Sequence, residues 1–246
     1  MRLAHSIIVL CGVLASACAA EPNVHKKSPL IEGVIDRTFY EKLEKAIRDG
    51  HRRIRLQSPG GNEQIALDAS VLIAENKMHI DVVGVCASSC SQFLLPFADR
   101  ISLNPESVIV MHANSFGMVE QGYVSSQTPS WDLVSENHRK TIDTFSRFGV
   151  DTAFLSIATH ASQPLCYLKP SSEGRRERVV MQFTQWAPTV DDLLVFGWKL
   201  DQSSDLSLTQ SPASITNAFV PTARIRFTSP GPHSHGREIK SCDLKN

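Results

Sequence analysis

Short β-branched runs alternating with helical stripes constrain this chain more than any other feature of it. Leu30 to Ile35 is a short apolar strand, and Asp36 to Arg48 follows with Phe39, Leu43 and Ile47 at intervals of four, one stripe of an amphipathic helix capped by Asp36. Ile54 to Gln57 alternates as a strand, Ser58-Pro59-Gly60-Gly61 breaks it, and Glu63 to Lys77 restarts a helix with Ile65, Ala69, Leu72 and Ile73 facing inward. Ile80 to Val85 is again apolar and β-branched, and Ser88 to Leu95 opens another helix. Repeated βα units imply the α/β class: a mostly parallel sheet, helices packed on its faces and right-handed crossovers.

Two more short strands, Ile101 to Leu103 and Val108 to His112, flank Asn104-Pro105. Trp131 to Arg147 reads as a long helix with Leu133, Ile142 and Phe145 as its apolar anchors. Asp151 to Ala158 is a second helix joined through Gly149, and Asp191 to Phe196 a last helical run ending at Gly197. Beyond Asp201 the chain is rich in Ser, Thr and Pro with little periodicity, which predicts a poorly ordered or surface-wrapping tail. The expected organisation is a leader over 1–20, a polar arm over 21–29, one α/β domain over 30–200 and a tail over 201–246. With 25 basic and 25 acidic side chains in 246 residues and 42% hydrophobic residues, the chain is neither a disordered polyampholyte nor a nucleic-acid binder that depends on a basic face.

The leader sets the expected compartment. Met1 and Arg2 form a short basic region, Ile7 to Leu14 an apolar one, and Ala15 to Ala20 a run of small residues, the pattern of a secretory signal. The apolar stretch is interrupted by Cys11, Gly12 and Ser16 and falls short of the roughly 20 residues that a spanning helix needs. Two cleavage points fit. Cleavage after Ala17 leaves Cys18 as a lipid acceptor and a membrane anchor; cleavage after Ala20 leaves a soluble protein beginning at Glu21. A lipoprotein site usually has leucine three positions before the cysteine, whereas Leu14 lies four before Cys18, which favours the soluble form. The expected location is periplasmic or secreted.

In such an oxidising compartment disulfides persist, and Cys86, Cys90, Cys166 and Cys242 remain after the leader. Cys86 and Cys90 can bridge if Cys86 lies in the turn before a helix, because the same spacing within a regular helix holds the Cβ atoms too far apart. The rival reading, a zinc site, lacks any CxxC pair or HxxxH spacing, and His233 and His235 are too few ligands for one. No metal and no cofactor is expected.

Ser58-Pro59-Gly60-Gly61 and Gly84-Val85-Cys86-Ala87-Ser88-Ser89-Cys90 both follow strands. In a parallel sheet such turns share the carboxyl edge, where helix-start N–H groups converge on a crevice. A serine there gains from the positive end of a helix, and Gly60-Gly61 can offer amide donors to an oxyanion. His112 ends the strand Val108 to Met111, 24 residues after Ser88. Each has an ordinary reading when taken alone: a turn, a helix cap, a structural histidine.

Taken together, these motifs resemble the Clp protease proteolytic subunit and its crotonase-like relatives, particularly exported bacterial Clp-protease-like proteins with a cysteine on either side of the serine. The resemblance runs from Gly33 to about His112 and continues weakly to Gly197. It rests on Ser58-Pro59-Gly60-Gly61, on a serine four residues after Gly84, and on Met111-His112 at the family's spacing. It implies a ClpP/crotonase-type fold, Ser88 as nucleophile, His112 as general base, and an oxyanion hole from the N–H groups of Gly60 or Gly61 and of Ser89. The implied chemistry is hydrolysis of a peptide or protein substrate through an acyl-enzyme, in a homo-oligomer.

The third triad member departs from the family pattern. Counting back from Thr189 to Gly197 lands near Met181, where there is no carboxylate; Glu177 is the nearest acid upstream, while Asp191 and Asp192 read as helix-capping residues. A serine and lysine dyad using Lys140 is the alternative, against the commoner role of a solvated lysine. Two other functions remain open: a non-catalytic binding or scaffold protein that keeps the fold, and a coenzyme A thioester enzyme, which export disfavours.

Overall fold

Five parallel strands carry the molecule: β1 (Leu30–Glu32), β2 (Arg53–Ser58), β3 (His79–Ala87), β4 (Arg100–Leu103) and β5 (Val108–Val110). Their order is β1-β2-β3-β4, and β5 pairs with the carboxyl half of β3. The length of β3 makes this possible. Its first half pairs with β4, from His79 opposite Arg100 to Val82 opposite Leu103, and its second half pairs Val85, Cys86 and Ala87 with Val108, Ile109 and Val110. The computed structural model describes residues 27–104, 107–162, 165–170, 176–181, 185–201 and 225–226. The leader, most of the polar arm, Cys242, His233, His235 and most of the expected tail lie outside the described residues.

The expected βα alternation is present. Helix α1 (Arg37–Arg48) is capped by Asp36, whose carboxylate accepts from the Phe39 N–H at 2.9 Å, and it buries Phe39, Leu43 and Ala46. Helix α2 (Glu63–Glu75) is capped by Asn62, which accepts from the Ile65 N–H at 3.0 Å. Its buried face differs from the expected stripe: Ala66, Leu67, Ala69, Ser70 and Ile73 are buried, and Ile65 and Leu72 only partly. The reason is that α2 touches α1, the helix α4 (Trp131–Phe148) and the turns after β3, so its buried side is wider than one stripe. Ile54, Leu56, Ile80, Val82 and Ile101 meet these helices in one apolar cluster, which burial alone drives together.

Three differences from the sequence reading have physical causes. The helix expected from Ser88 to Leu95 is a π-helical turn over Cys90–Leu94 and a 3-10 turn over Leu95–Phe97. Pro96 has no N–H with which to continue a regular ladder. On α4 the expected anchors Leu133 and Ile142 are exposed, at 56% and 42%, and the buried residues are Asn137, Thr141, Thr144 and Phe145. Nine residues at the helical pitch put Leu133 and Ile142 on opposite sides of α4, so they cannot share one buried stripe. Helix α3 (Ser115–Glu120) was not anticipated; it is a short helix capped by Asn114, a signal too local to show periodicity.

The remaining elements are α5 (Ala153–Ala161), the antiparallel pair β6 (Leu165–Pro170) and β7 (Arg176–Met181), β8 (Gln185–Trp186), α6 (Val190–Val195) and β9 (Ile225–Arg226). β9 pairs in parallel with β8, so a piece of the stretch expected to lack structure forms a strand. Trp186 is wholly buried, with its ring edge-on to Phe196 at 6.0 Å, and exchanges two backbone hydrogen bonds of 2.7 Å with Met111. That exchange extends β5 by one residue and fixes the backbone immediately before His112.

Candidate active site

The carboxyl ends of β2, β3 and β5 meet at one point, and the strand register dictates what lies there. Ser58 faces Cys86 across β2 and β3, and Ala87 faces Val110 across β3 and β5. Ser88 follows Ala87 directly, its N–H donating to the Val110 carbonyl at 2.9 Å, and His112 follows Val110 by two residues. Ser88 adopts φ 57°, the left-handed region that residues with a side chain seldom occupy, between the strand β3 and the π-helical turn. This strand-to-helix bend presents the hydroxyl to His112, the geometry of a nucleophile elbow.

Ser88 Oγ stands 2.7 Å from His112 Nε2. The other ring nitrogen, Nδ1, meets the backbone carbonyl of Ala113 at 2.5 Å. A carbonyl only accepts, so Nδ1 bears the proton and Nε2 is the basic atom that accepts from the serine. The imidazole therefore has its tautomer set by a backbone group. Gln92 Nε2 donates to the His112 carbonyl at 2.6 Å and ties the turn after Ser88 to the backbone of His112.

The Ala113 carbonyl makes the contact to Nδ1 for which the sequence reading named Glu177. Glu177 lies in β7 opposite Lys169, and its side chain falls outside the described residues. Lys140, the dyad alternative, is placed elsewhere: its Nζ bonds Asp68 at 2.8 Å and the Gln64 carbonyl at 3.3 Å. Asp192 forms a capping box with Thr189 at the start of α6, the capping role read from the sequence.

The expected oxyanion donors surround Ser88 in an arrangement the sequence did not foretell. Gly60 is buried against the serine, yet its N–H donates to Ser58 Oγ at 3.1 Å. The Gly61 N–H donates to Ser89 Oγ at 2.7 Å, and that hydroxyl in turn donates to the Gly61 carbonyl at 3.1 Å. Two serine hydroxyls thus hold both glycine amides, and that of Ser89 ties the two turns together. Ser89 stands at the start of the π-helical turn, directly after Ser88. Ser91, one turn further, donates to the carbonyls of Val110 at 2.7 Å and Ser88 at 3.0 Å.

Two residues that sequence reading passed over hold the histidine. Asn114 caps α3, accepting from the Gly117 N–H at 2.8 Å, and its amide donates to the Leu155 carbonyl of α5 at 2.9 Å. Its backbone N–H donates to Thr159 Oγ1 at 3.3 Å. Ala113, whose carbonyl orients the ring, is therefore strung between His112 and a residue fixed three times. An Asn one residue before a serine, opening a short helix, was the available signal.

Cys86 and Cys90 form a disulfide that encloses Ser88, and both cysteines are wholly buried. The bridge closes the elbow on both sides of the strained residue. Replacing both by alanine removes the loop constraint from the unfolded chain, which for so short a loop costs about 2 kcal/mol. Urea unfolding of the Cys86→Ala, Cys90→Ala double variant against the oxidised protein should show that loss as a lower midpoint at an unchanged slope.

Among the described residues no three histidine, cysteine or acidic side chains converge as a metal site, and no helix is long and apolar enough to cross a membrane. No family model matches the chain, and no curated protein matches it. Solved structures do match. ClpP1 from Listeria monocytogenes aligns with 72% of this chain and 92% of its own length, at 12% identity and a TM-score of 0.39. The ClpP protease catalytic domain from Plasmodium falciparum aligns over 50% of this chain and 73% of its own, at 18% identity and a TM-score of 0.31. A mutant of the membrane-bound stomatin-specific protease 1510-N aligns over 52% of this chain, at 14% identity and a TM-score of 0.37, and this chain spans only 66% of its length. The likeness is one of α/β fold type, and matches so loose carry no residue role and no activity to this chain.

Proposed function

We propose that this protein is an exported serine hydrolase acting on peptides, with Ser88 as nucleophile and His112 as general base. The observation that carries the reading is the 2.7 Å contact of Ser88 Oγ with His112 Nε2, on a ring whose opposite nitrogen is bound to a carbonyl. In the first half-reaction Nε2 takes the serine proton while Oγ bonds to the substrate carbonyl carbon. The imidazolium then gives that proton to the leaving amine as the carbon–nitrogen bond breaks. Water, deprotonated by the same nitrogen, releases the acyl group and restores the serine.

The oxyanion that forms in each half-reaction needs amide donors. The Ser89 N–H supplies one, and the Gly61 N–H becomes a second when the Ser89 hydroxyl turns away from it. The Ala113 carbonyl keeps the ring in the correct tautomer but brings no negative charge to stabilise the imidazolium. A slower catalyst than a full triad follows. The homo-oligomeric state and the periplasmic or secreted location belong to the same proposal, supported by the leader pattern and by the resemblance of the motifs.

A second reading, a non-catalytic binding protein of the same fold, is favoured by one observation: both glycine amides are already engaged by serine hydroxyls. A fluorophosphonate probe separates the two. Folded protein should be labelled at Ser88, located by peptide mass, and Ser88→Ala should take no label. Absence of label on Ser88, beside a serine hydrolase that labels under the same conditions, overturns the hydrolase reading in favour of binding.

A further inference from the structure

Among the helices that follow Gly61 and His112 lies a carboxyl group that the chemistry above leaves unused. Glu63 is the first residue of α2, two residues past Gly61, and Ser115 opens α3, three residues past His112. Ser115 Oγ donates to Glu63 Oε2 at 2.8 Å, and Asn137 Nδ2 of α4 donates to the same hydroxyl at 3.3 Å. One buried hydroxyl therefore joins three helices, two of which begin immediately after the segments that carry Gly60-Gly61 and His112.

Two oxygens in this cluster, Glu63 Oε1 and Asn137 Oδ1, are shut off from solvent and have no donor. They belong to side chains that converge on one atom, and both only accept when Glu63 is ionised. The amino end of α2, on which Glu63 sits, favours its charged form, but the charged side chains on the surrounding elements offer no further remedy. Lys140 of α4 is bound to Asp68 and to the Gln64 carbonyl. Between α3 and α4, His138 is bound to Glu120 at 2.7 Å. Asp36, at the start of α1, accepts from the Phe39 N–H, and His112 is bound to Ser88 and Ala113. The turns over 90–97 carry no charge. A buried carboxylate with no counter-ion is costly, and so is each acceptor without a donor. One proton relieves both.

We propose that Glu63 is a positioning residue held as the neutral acid: its Oε1–H donates to Asn137 Oδ1 while Oε2 accepts from Ser115 Oγ. The three side chains then form a closed ring of hydrogen bonds that fixes the segment bearing Gly60-Gly61 against the segment bearing His112. The positioning role rests on the hydrolase reading; the ring does not. Burial pushes the Glu63 carboxyl above its ordinary value, against the opposing pull of the Ser115 hydroxyl and backbone N–H. The folded protein thus keeps a proton that the unfolded chain releases, so the contribution of Glu63 to stability is full below the ordinary carboxylate range. It is lost as pH rises through the raised value.

The test uses the full chain and Glu63→Gln, which replaces the O–H donor by an N–H donor of the same reach. An infrared difference spectrum in heavy water at neutral pH, wild type minus Glu63→Gln, should show the carbonyl stretch of a protonated carboxylic acid, and that band should vanish as the pH is raised. The decline in melting temperature with rising pH attributable to this group should be absent from Glu63→Gln. No such band means that Glu63 is ionised and the Asn137 amide is reversed to donate to it, and the proposal falls. For the positioning role, Glu63→Ala should slow fluorophosphonate labelling of Ser88 by ~10-fold or more, since small misplacements of reacting groups are that costly. Glu63→Gln should recover most of the rate, and a Glu63→Ala protein labelled at the wild-type rate removes the role. If the wild type takes no label, the hydrolase reading fails and the infrared band alone decides the ring; if Glu63→Ala does not fold, the band and Glu63→Gln decide it.

Discussion

Alanine at position 60 should destabilise the protein by ~2–5 kcal/mol and abolish labelling of Ser88. Gly60 has φ 95°, a conformation that a side chain strains, and a Cβ placed there would stand 2.5 Å from Ser88 Cβ, 2.7 Å from the Ala87 carbonyl oxygen and 3.0 Å from Ser88 Oγ. Two of these atoms belong to the residue expected to react and the third to the strand end that carries it. None is the far end of a flexible side chain, so relief requires the elbow itself to move. Any such shift separates Ser88 Oγ from His112. The two effects can be read apart: urea unfolding gives the loss of stability, and labelling under conditions where the variant remains folded gives the displacement of the hydroxyl. A Gly60→Ala protein that labels at the wild-type rate would show that the turn does not bear on Ser88.

Replacing His112 by alanine should leave the fold intact and slow labelling of Ser88 by ~10²–10⁴-fold, the range expected for loss of a general base. The ring is half-buried, and its side-chain hydrogen bonds go to Ser88 Oγ and the Ala113 carbonyl, so its removal opens no core cavity. Labelling time courses at several probe concentrations, together with an unchanged melting temperature, are the measurements required. Equal rates for His112→Ala and wild type would mean that the serine reacts without the imidazole, and the pair would then be structural.

The meeting of Ser88 and His112 was legible because each follows a β-branched run that can only be a strand, and parallel strands bring their carboxyl ends to one edge. The acid partner was not legible. The contact to His112 Nδ1 is made by the carbonyl of Ala113, and a backbone oxygen leaves no trace in residue type. The engagement of the glycine amides was hidden for a related reason. Ser58 and Ser89 read as turn and cap residues, and only the approach of the two turns shows that the Ser89 hydroxyl reaches Gly61. Phe39 and Leu43 were correctly placed inside because α1 lies on the sheet by one stripe. On α4 the reading placed Phe145 inside correctly, but it missed the polar part of the buried side, where Asn137 reaches Ser115 and Thr141 bonds back to its own helix.

The sulfur atoms around Ser88 have no solvent-exposed surface in the finished fold. An oxidase or a disulfide exchange catalyst must therefore act on the nascent chain, before α2 and the aromatic rings settle over the bend. Once that cover is in place, a small thiol reaches the bond only through an opening of the fold. The folded, oxidised protein should therefore resist reduction far longer than its unfolded chain.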